Sequence, residues 1–496
     1  MVRPMSKLAR EPMPDALVRQ REPAPSPRPT ATPAAALATL AHHIVIVGGG
    51  AGGLVLATRL GDRLGRRGRA QITLVDCALT HIWKPLLHEI AAGTLTAEGD
   101  GLDYFAHARR HGFTFEPGRM CGLDRARREI ILDPVDDPDG ADRGPQRRLG
   151  YDTLVLAVGS SINDFGVPGV REHCLFLGSP AEAERIRRLT LGRFLRGHAE
   201  AGGRAEATIS DPAGIEEPSS EPGSQPAGSA RRLRFAIVGA GATGVELAAE
   251  LRHAARQLFG YGLRGFDPDR DVEVRLIEAA PSVLPALPER LQVATERQLR
   301  ALGVEVRTAE QVERVTPAGV HTRSGELIPA DLIVWTAGVK GAAWLAGLDG
   351  LEVDRNNQLV VDATLRTSRD EHIFALGDCA ACRLPDAERP VPPRAQAAFQ
   401  QAQQLARSLA RRLDGREPLP FVYRDYGSLI SLSSSTLGNL MGKLLKSVMI
   451  EGRLARLAYL SLYKKHQLAL HGVGWVTTAA LANLLHRRAR PQLKLH

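Results

Sequence analysis

No apolar run in the 496-residue chain reaches the ~20 residues that a membrane-crossing helix requires. Helical spanning segments are therefore not expected. Cysteine is equally scarce. Cys77, Cys121, Cys174, Cys379 and Cys382 are the whole complement, too few for a disulfide framework in so long a chain. A reducing cytoplasm is the default compartment. The first 41 residues are rich in Pro, Arg and Ala and have no apolar core of the secretory type, so they predict a disordered extension and not a signal peptide. No His, Cys and acid cluster has metal-ligand spacing, and no catalytic metal is expected. Acid is missing from one end of the chain. Between Gly438 and His496 ten Lys and Arg residues face Glu451 alone, an excess equal to the chain's entire formal charge of +9. A basic surface for nucleic acid over the whole molecule is thereby disfavoured. A tail that meets an anionic surface is favoured instead.

What is present is a repeated grammar. Residues 44–47 are apolar and break into a glycine cluster that supplies Gly48, Gly50 and Gly53 in G-x-G-x-x-G spacing. A helical pattern follows, then an apolar strand, residues 72–75, that ends at Asp76. In such a unit the first glycine allows the tight turn. The second lets backbone approach a pyrophosphate, and the third lets helix pack on strand. The helix N-terminus faces the phosphates, and the terminal acid can accept ribose hydroxyls. The pattern recurs at Gly239, Gly241 and Gly244, with Glu278 closing the second strand. An acid at that ribose position favours NADH, because a 2′-phosphate would be repelled. Arg275, on the same strand, complicates that preference. Two further strands end in small-residue turns at Gly159 and Gly338, and a third breaks into Gly377-Asp378. Taken alone, Asp378 reads equally well as a helix cap. With an N-terminal glycine cluster it suits an acid reaching the ribityl and phosphate region of FAD. The expected fold is therefore α/β, with two Rossmann-like dinucleotide-binding domains, FAD in the first and NADH in the second, followed by a C-terminal amphipathic helical region.

The expected boundaries are 1–41 extension, 42–164 and 353–430 the two parts of the FAD-binding domain, 165–352 the NADH-binding domain, and 431–496 a membrane-associating region. Residues 197–230, rich in Gly, Pro, Ser, Ala and Glu without a hydrophobic period, are expected to be a disordered insertion. A smaller insertion is expected at 257–270. In the tail, Leu454, Leu457, Leu460 and Leu462 lie among Arg453, Arg456, Lys464 and Lys465, and a second apolar segment, residues 473–485, ends in basic residues. Both are too short to span, and both suit helices lying in a membrane interface.

The chain resembles the type II NADH:quinone oxidoreductases of bacteria, the non-proton-pumping respiratory NADH dehydrogenases. The residues that carry the resemblance are 45–54, 80–89, 237–251, 374–379, 394–401 and 426–432, with the tail segments 460–467 and 471–472. The resemblance implies hydride transfer from NADH to FAD, then two electrons to a membrane quinone, at the cytoplasmic face of the inner membrane as a peripheral protein; dimerisation stays open. It also implies that Lys84 belongs to the FAD site, that Gln396 and Gln400 line the quinone approach, and that Glu246 assists proton delivery. Phe399 departs from the histidine frequent in relatives. From residue chemistry alone, Gln396 and Gln400 read as a polar helix face, and Glu246 reads equally as a helix-start acid favoured by the dipole or as a buried proton relay. The Cys379/Cys382 C-x-x-C is expected to be structural and not a redox disulfide. Two rivals are a sulfide:quinone oxidoreductase-like flavoprotein, which needs reactive cysteines near the flavin, and an NADH-sensing flavoprotein with a binding role.

Overall fold

The computed structural model describes residues 41–96, 101–133, 145–210, 232–263, 267–385, 390–432, 435–440 and 448–486. The N-terminal extension lies outside the described residues, apart from Ala41. The chain from His42 onward forms one compact unit.

The first unit opens with β1 (His42–Val47), α1 (Gly53–Arg63), β2 (Ala70–Asp76), a short helix α2 (Leu87–Ala92), α3 (Tyr104–His111), β3 (Thr114–Pro117) and β4 (Thr153–Leu156). The second consists of β5 (Leu175–Phe176), α4 (Pro180–Ser210), β6 (Leu233–Val238), α5 (Ala242–Gly260), β7 (Val272–Ile277), α6 (Glu289–Ala301), β8 (Val304–Arg307) and β9 (Leu332–Trp335). Then come β10 (Ile373–Ala375), α7 (Ala395–Leu413), the strands β11 (Gly427–Leu432), β12 (Ser435–Leu440) and β13 (Val448–Glu451), and α8 (Gly452–His486).

The two main sheets are wound alike. The first has the order β10-β4-β1-β2-β3 and the second β5-β9-β6-β7-β8, every pairing parallel. In each, the strand that enters the glycine turn is central and buried on both faces, which is why 44–47 and 235–238 read as continuous apolar runs and not as alternating ones. Strand β10 joins the first sheet only after the chain has completed the second. The expected insertion of one dinucleotide unit into another is thus visible as sheet topology.

Two regions differ from expectation. Helix α4 runs on through residues 197–210. That stretch lacks an apolar period but holds Ala, Glu and Arg, whose straight or minimal side chains lose little freedom in a helix. Residues 211–231, the rest of that insertion, lie outside the described residues. The first residues of the smaller insertion, 257–260, are likewise helix, because α5 continues to Gly260. The tail is also not helical throughout. Strands β11, β12 and β13 form an antiparallel meander in which Ile430, Leu432 and Leu437 are buried in the core of the second unit. Ile430 and Leu432, two residues apart, enter the same core, as strand geometry places them. Only beyond Glu451 does α8 begin. It is two helices meeting at Gly472, where φ is 77° and ψ 172°. Among the described residues no helix is long and apolar enough to cross a membrane.

Candidate functional site

The two glycine turns are near copies. Gly48 has φ +103° and Gly239 φ +104°, which an L side chain rarely adopts. A Cβ on Gly53 would lie 1.8 Å from the Gly48 carbonyl, and one on Gly244 would lie 1.9 Å from that of Gly239. These positions are glycine because helix meets strand there. At Gly50 and Gly241 the reverse holds: a Cβ would meet no protein atom within 4 Å. The space that these two residues leave open is outside the protein, in front of the helix start. Neither α1 nor α5 has a side-chain cap on its first N–H groups. Each turn therefore presents uncapped donors and the positive end of a helix to an open cradle, the chemistry that a pyrophosphate fits.

The terminal acids repeat as well. Asp76 accepts the N–H of Gly49 at 2.6 Å and of Ala78 at 2.8 Å. Glu278 accepts those of Ala240 at 2.7 Å and Ala280 at 2.9 Å. A carboxylate has about four acceptor positions, so each acid is fixed in place and keeps lone pairs for a ribose. Arg275 is turned away from the cradle: it pairs with Glu273 at 2.8 Å and Glu305 at 2.9 Å and donates to the Pro329 carbonyl. The second cradle thus faces an acid without that arginine beside it.

Beside the first cradle three distant segments converge. The Lys84 ammonium lies 3.4 Å from both the carbonyl and the hydroxyl of Ser160, and the Ser160 hydroxyl donates to Asp378 at 3.0 Å. Gly159, with φ +72°, and Gly377, with φ +74°, form the turns that bring these side chains together. The buried Gln401 accepts the Gly377 N–H at 2.7 Å, and Gln358 donates to the Asp378 carbonyl. Gly52 packs against Leu376 and Ala398, so the start of α7 closes on the same glycine turn. Gly338, at φ +66°, ends β9 as Gly159 follows β4, and lies against Phe165 and Asn163.

Gln396 and Gln400 are on one face of α7 and grip a single segment. Gln396 donates to Asp425 and the Gly427 carbonyl and accepts the Tyr426 N–H. Gln400 donates to the Arg424 carbonyl and accepts the Arg424 N–H. Their amides fix residues 424–427, the lead-in to β11. At the far end of that strand Glu246 accepts the Ser431 N–H at 3.0 Å. Glu246 is buried, and burial raises its carboxyl to about 8 against an ordinary 4.5, with Glu89 and Glu250 adding repulsion. Burial outweighs the helix dipole that would favour the anion. The residue is a proton-holding acid at neutral pH.

Sequence reasoning assigned no role to His81, His88, Ser160, Gln401 or Ser431. Their partners are 24 to 385 positions distant, and no local pattern marks such contacts. His81 places Nδ1 2.9 Å from the Gly49 carbonyl and Nε2 3.1 Å from Nε2 of His466 on α8, on which Trp83 stacks. The C-terminal helix is thereby tied to the first glycine turn. Of the tail cations, Lys465 lies over the Tyr426 ring and Lys464 donates to Gln467. All five cysteines are free thiols. Cys379 and Cys382 are buried, and burial pushes both thiols up to about 11, so neither is a nucleophile. The C-x-x-C is packing, and it does not provide the reactive sulfur that a sulfide-oxidising site needs.

A family model described as pyridine nucleotide-disulphide oxidoreductase matches residues 42–402. The type II NADH:quinone oxidoreductase of Haemophilus influenzae is 42% identical over 456 residues, covering 92% of this chain and 100% of the relative. That of Mycobacterium tuberculosis named Ndh is 28% identical, covering 82% and 80%. In fold the chain is similar to NDH2 from Plasmodium falciparum in complex with NADH, with a TM-score of 0.71 at 18% identity over 91% of this chain and 100% of that one. It is also similar to the sulfide:quinone oxidoreductase of Aquifex aeolicus, with a TM-score of 0.64 at 15% identity over 92% and 96%.

Proposed function

The chain belongs to the type II NADH:quinone oxidoreductases, and we propose that the residues above divide its reaction between two cradles and one proton-holding acid. It is an FAD-dependent enzyme whose substrates are NADH and a quinone. The chemistry that bound FAD supplies is acceptance of a hydride from NADH and onward passage of two electrons to the quinone, here without proton pumping. Gly48, Gly50, Gly53, Asp76, Lys84, Gly159, Gly377 and Asp378 hold FAD. Gly239, Gly241, Gly244, Glu278 and Gly338 hold NADH. Gln396 and Gln400 shape the quinone approach by fixing residues 424–427, and Glu246 holds a proton for the quinone. Residues 42–164 and 353–430 form the flavin domain around the 165–352 nucleotide domain.

The observation that carries this reading is the duplicated cradle, with Lys84, Ser160 and Asp378 gathered beside the first copy only. The two sites are built alike and furnished differently, as two different dinucleotides require. Anaerobic mixing of the purified protein with NADH tests it: the flavin should bleach and recover its colour on addition of a short-chain quinone. A protein that bleaches but does not pass its electrons on would be a sensor. One that requires sulfide would be the rival oxidoreductase.

We further propose that α8 holds the enzyme on the cytoplasmic face of the bacterial inner membrane. Leu457 and Val473 are 64% and 67% exposed on a helix whose sequence is basic, a surface suited to anionic lipid. Deleting the tail is a poor test, because Ala455 and Leu470 are buried and His466 bonds to His81. Replacing both exposed residues with Glu leaves those contacts intact and should shift the protein from the membrane pellet to the supernatant; unchanged sedimentation would refute the surface.

A further inference from the structure

Reduction of a quinone needs two electrons and two protons. A hydride brings two electrons and one proton, so one proton per turnover must come from water through the protein. Glu246 can hold one proton, but it is only 6% exposed and has to be reloaded after each turnover.

His88, on α2, is 2% exposed, and its Nδ1 is 3.4 Å from Oε2 of Glu246. Its Nε2 lies 4.0 Å from Oε1 of Glu89, whose side chain is 24% exposed. That distance is spanned by one water or a small rotation of Glu89. Nε2 is buried and makes no hydrogen bond. An unsatisfied buried nitrogen is destabilising, so stability does not account for an imidazole in this orientation. The charges that bear on Glu246 are Glu89 from α2 and Glu250 from α5, both negative. Strand β11, which covers it, has no titratable side chain. Among the described residues no cation holds Glu246 as the anion, so a spent carboxylate there has a strong pull on a proton. The turn at 84–86 precedes α2, so the segment that sets Lys84 beside the first cradle also sets His88 beside Glu246.

We infer that His88 is the residue that reloads Glu246, relaying protons inward from Glu89. This rests on the reading of Glu246 as the quinone's proton donor. After Oε2 has given up its proton, Nε2 of His88 takes one from the Glu89 side and Nδ1 releases one to Oε2. The neutral ring is left as the Nε2–H tautomer, and water-mediated return of that proton to Nδ1 resets it. Each cycle moves one proton from water to Glu246 with no change of redox state. His88 acts through Glu246, and its role is one of supply and position.

Ferricyanide accepts electrons and no protons, so the ratio of NADH:quinone to NADH:ferricyanide turnover isolates the relay. In the flavin-loaded full chain, His88→Gln should lower that ratio at least about tenfold, less than the roughly 10²–10⁴ of a group that acts directly on a substrate, because His88 acts through Glu246. The loss should fall in kcat and not in KM for NADH, and the solvent deuterium isotope effect on quinone turnover should rise. An unchanged ratio overturns the inference, as does a parallel fall of both activities. Glu246→Gln separates this from the premise. If that variant keeps its ratio, the reading of Glu246 fails; if it loses the ratio while His88→Gln keeps it, only the relay fails. Should His88→Gln not hold flavin, Glu89→Gln, nearer to solvent, decides by the same ratio.

Discussion

Replacing Glu246 by Gln should make the protein more stable and the enzyme worse. The buried carboxyl titrates at about 8 where an unfolded chain titrates at 4.5. Below pH 4.5 both states are protonated and the residue costs nothing. As pH rises from 4.5 to 8 the unfolded chain ionises while the fold keeps its proton, so the unfolded state binds fewer protons and stability falls. At pH 7 the interval is about 2.5 pH units at about 1.4 kcal/mol each, or roughly 3 kcal/mol. Glutamine cannot ionise, keeps an oxygen for the Ser431 N–H, and escapes this cost. Thermal release of flavin fluorescence, followed from pH 5 to pH 8.5, measures it. The melting temperatures of the two proteins should nearly coincide at the acid end and separate in favour of Glu246→Gln above pH 6. A constant offset across that range, or a wild type that is the more stable at pH 8, would refute the assignment of a buried neutral acid. The same variant should show impaired quinone turnover, so the cost is the one expected of a residue kept for chemistry.

Other outcomes follow from the same geometry. Gly50→Val adds a side chain where no protein atom stands, so the protein should fold and be isolated with little flavin, read from its visible spectrum. Gly53→Ala instead meets the Gly48 carbonyl and should lower the melting temperature by the equivalent of about 1–3 kcal/mol or more. Gly241→Val should leave flavin content intact and raise KM for NADH at least tenfold; loss of flavin in that variant would contradict the assignment of the two cradles. His81 is fully enclosed and burial lowers it to about 4 from 6.5, so the fold holds it neutral. Its contribution is complete above pH 6.5 and drains away as pH falls toward 4, with about 2 kcal/mol lost by pH 5. The melting-temperature advantage of wild type over His81→Gln should shrink across that window, and a pH-independent difference would refute it.

The glycine spacings, the acids closing each unit and the late Gly377-Asp378 were legible because a dinucleotide cradle is a local object. Its strand, turn and helix are contiguous, and the steric demand for glycine at 53 and 244 comes from the carbonyls of Gly48 and Gly239 in the same turn. The limits of α4 and the meander at 427–451 were misread for a related reason. Composition without an apolar period does not exclude a helix of good formers, and the pairing of Gly427–Leu432 with Ser435–Leu440 shows only once a core exists to bury Ile430, Leu432 and Leu437. Residue chemistry alone favoured a polar helix face for Gln396 and Gln400 and left Glu246 evenly balanced between a helix-start acid and a proton relay. Their contacts belong to tertiary structure, where Asp425 and Ser431 come to them from β11 and its lead-in.

The linear chain by itself determined that there are two phosphate cradles, which one ends in an acid suited to NADH, and that positive charge collects at the C-terminus. Only the folded molecule decided how they act together. It returned β10 to the first sheet after the second was complete, bringing Asp378 to Lys84. It turned Arg275 toward Glu273 and Glu305, and it enclosed Glu246 with His88 away from water. Spacing along a chain fixes chemistry within one turn of backbone. Burial, and with it the proton affinity of a carboxyl group, depends on residues that are close in space and far apart in sequence.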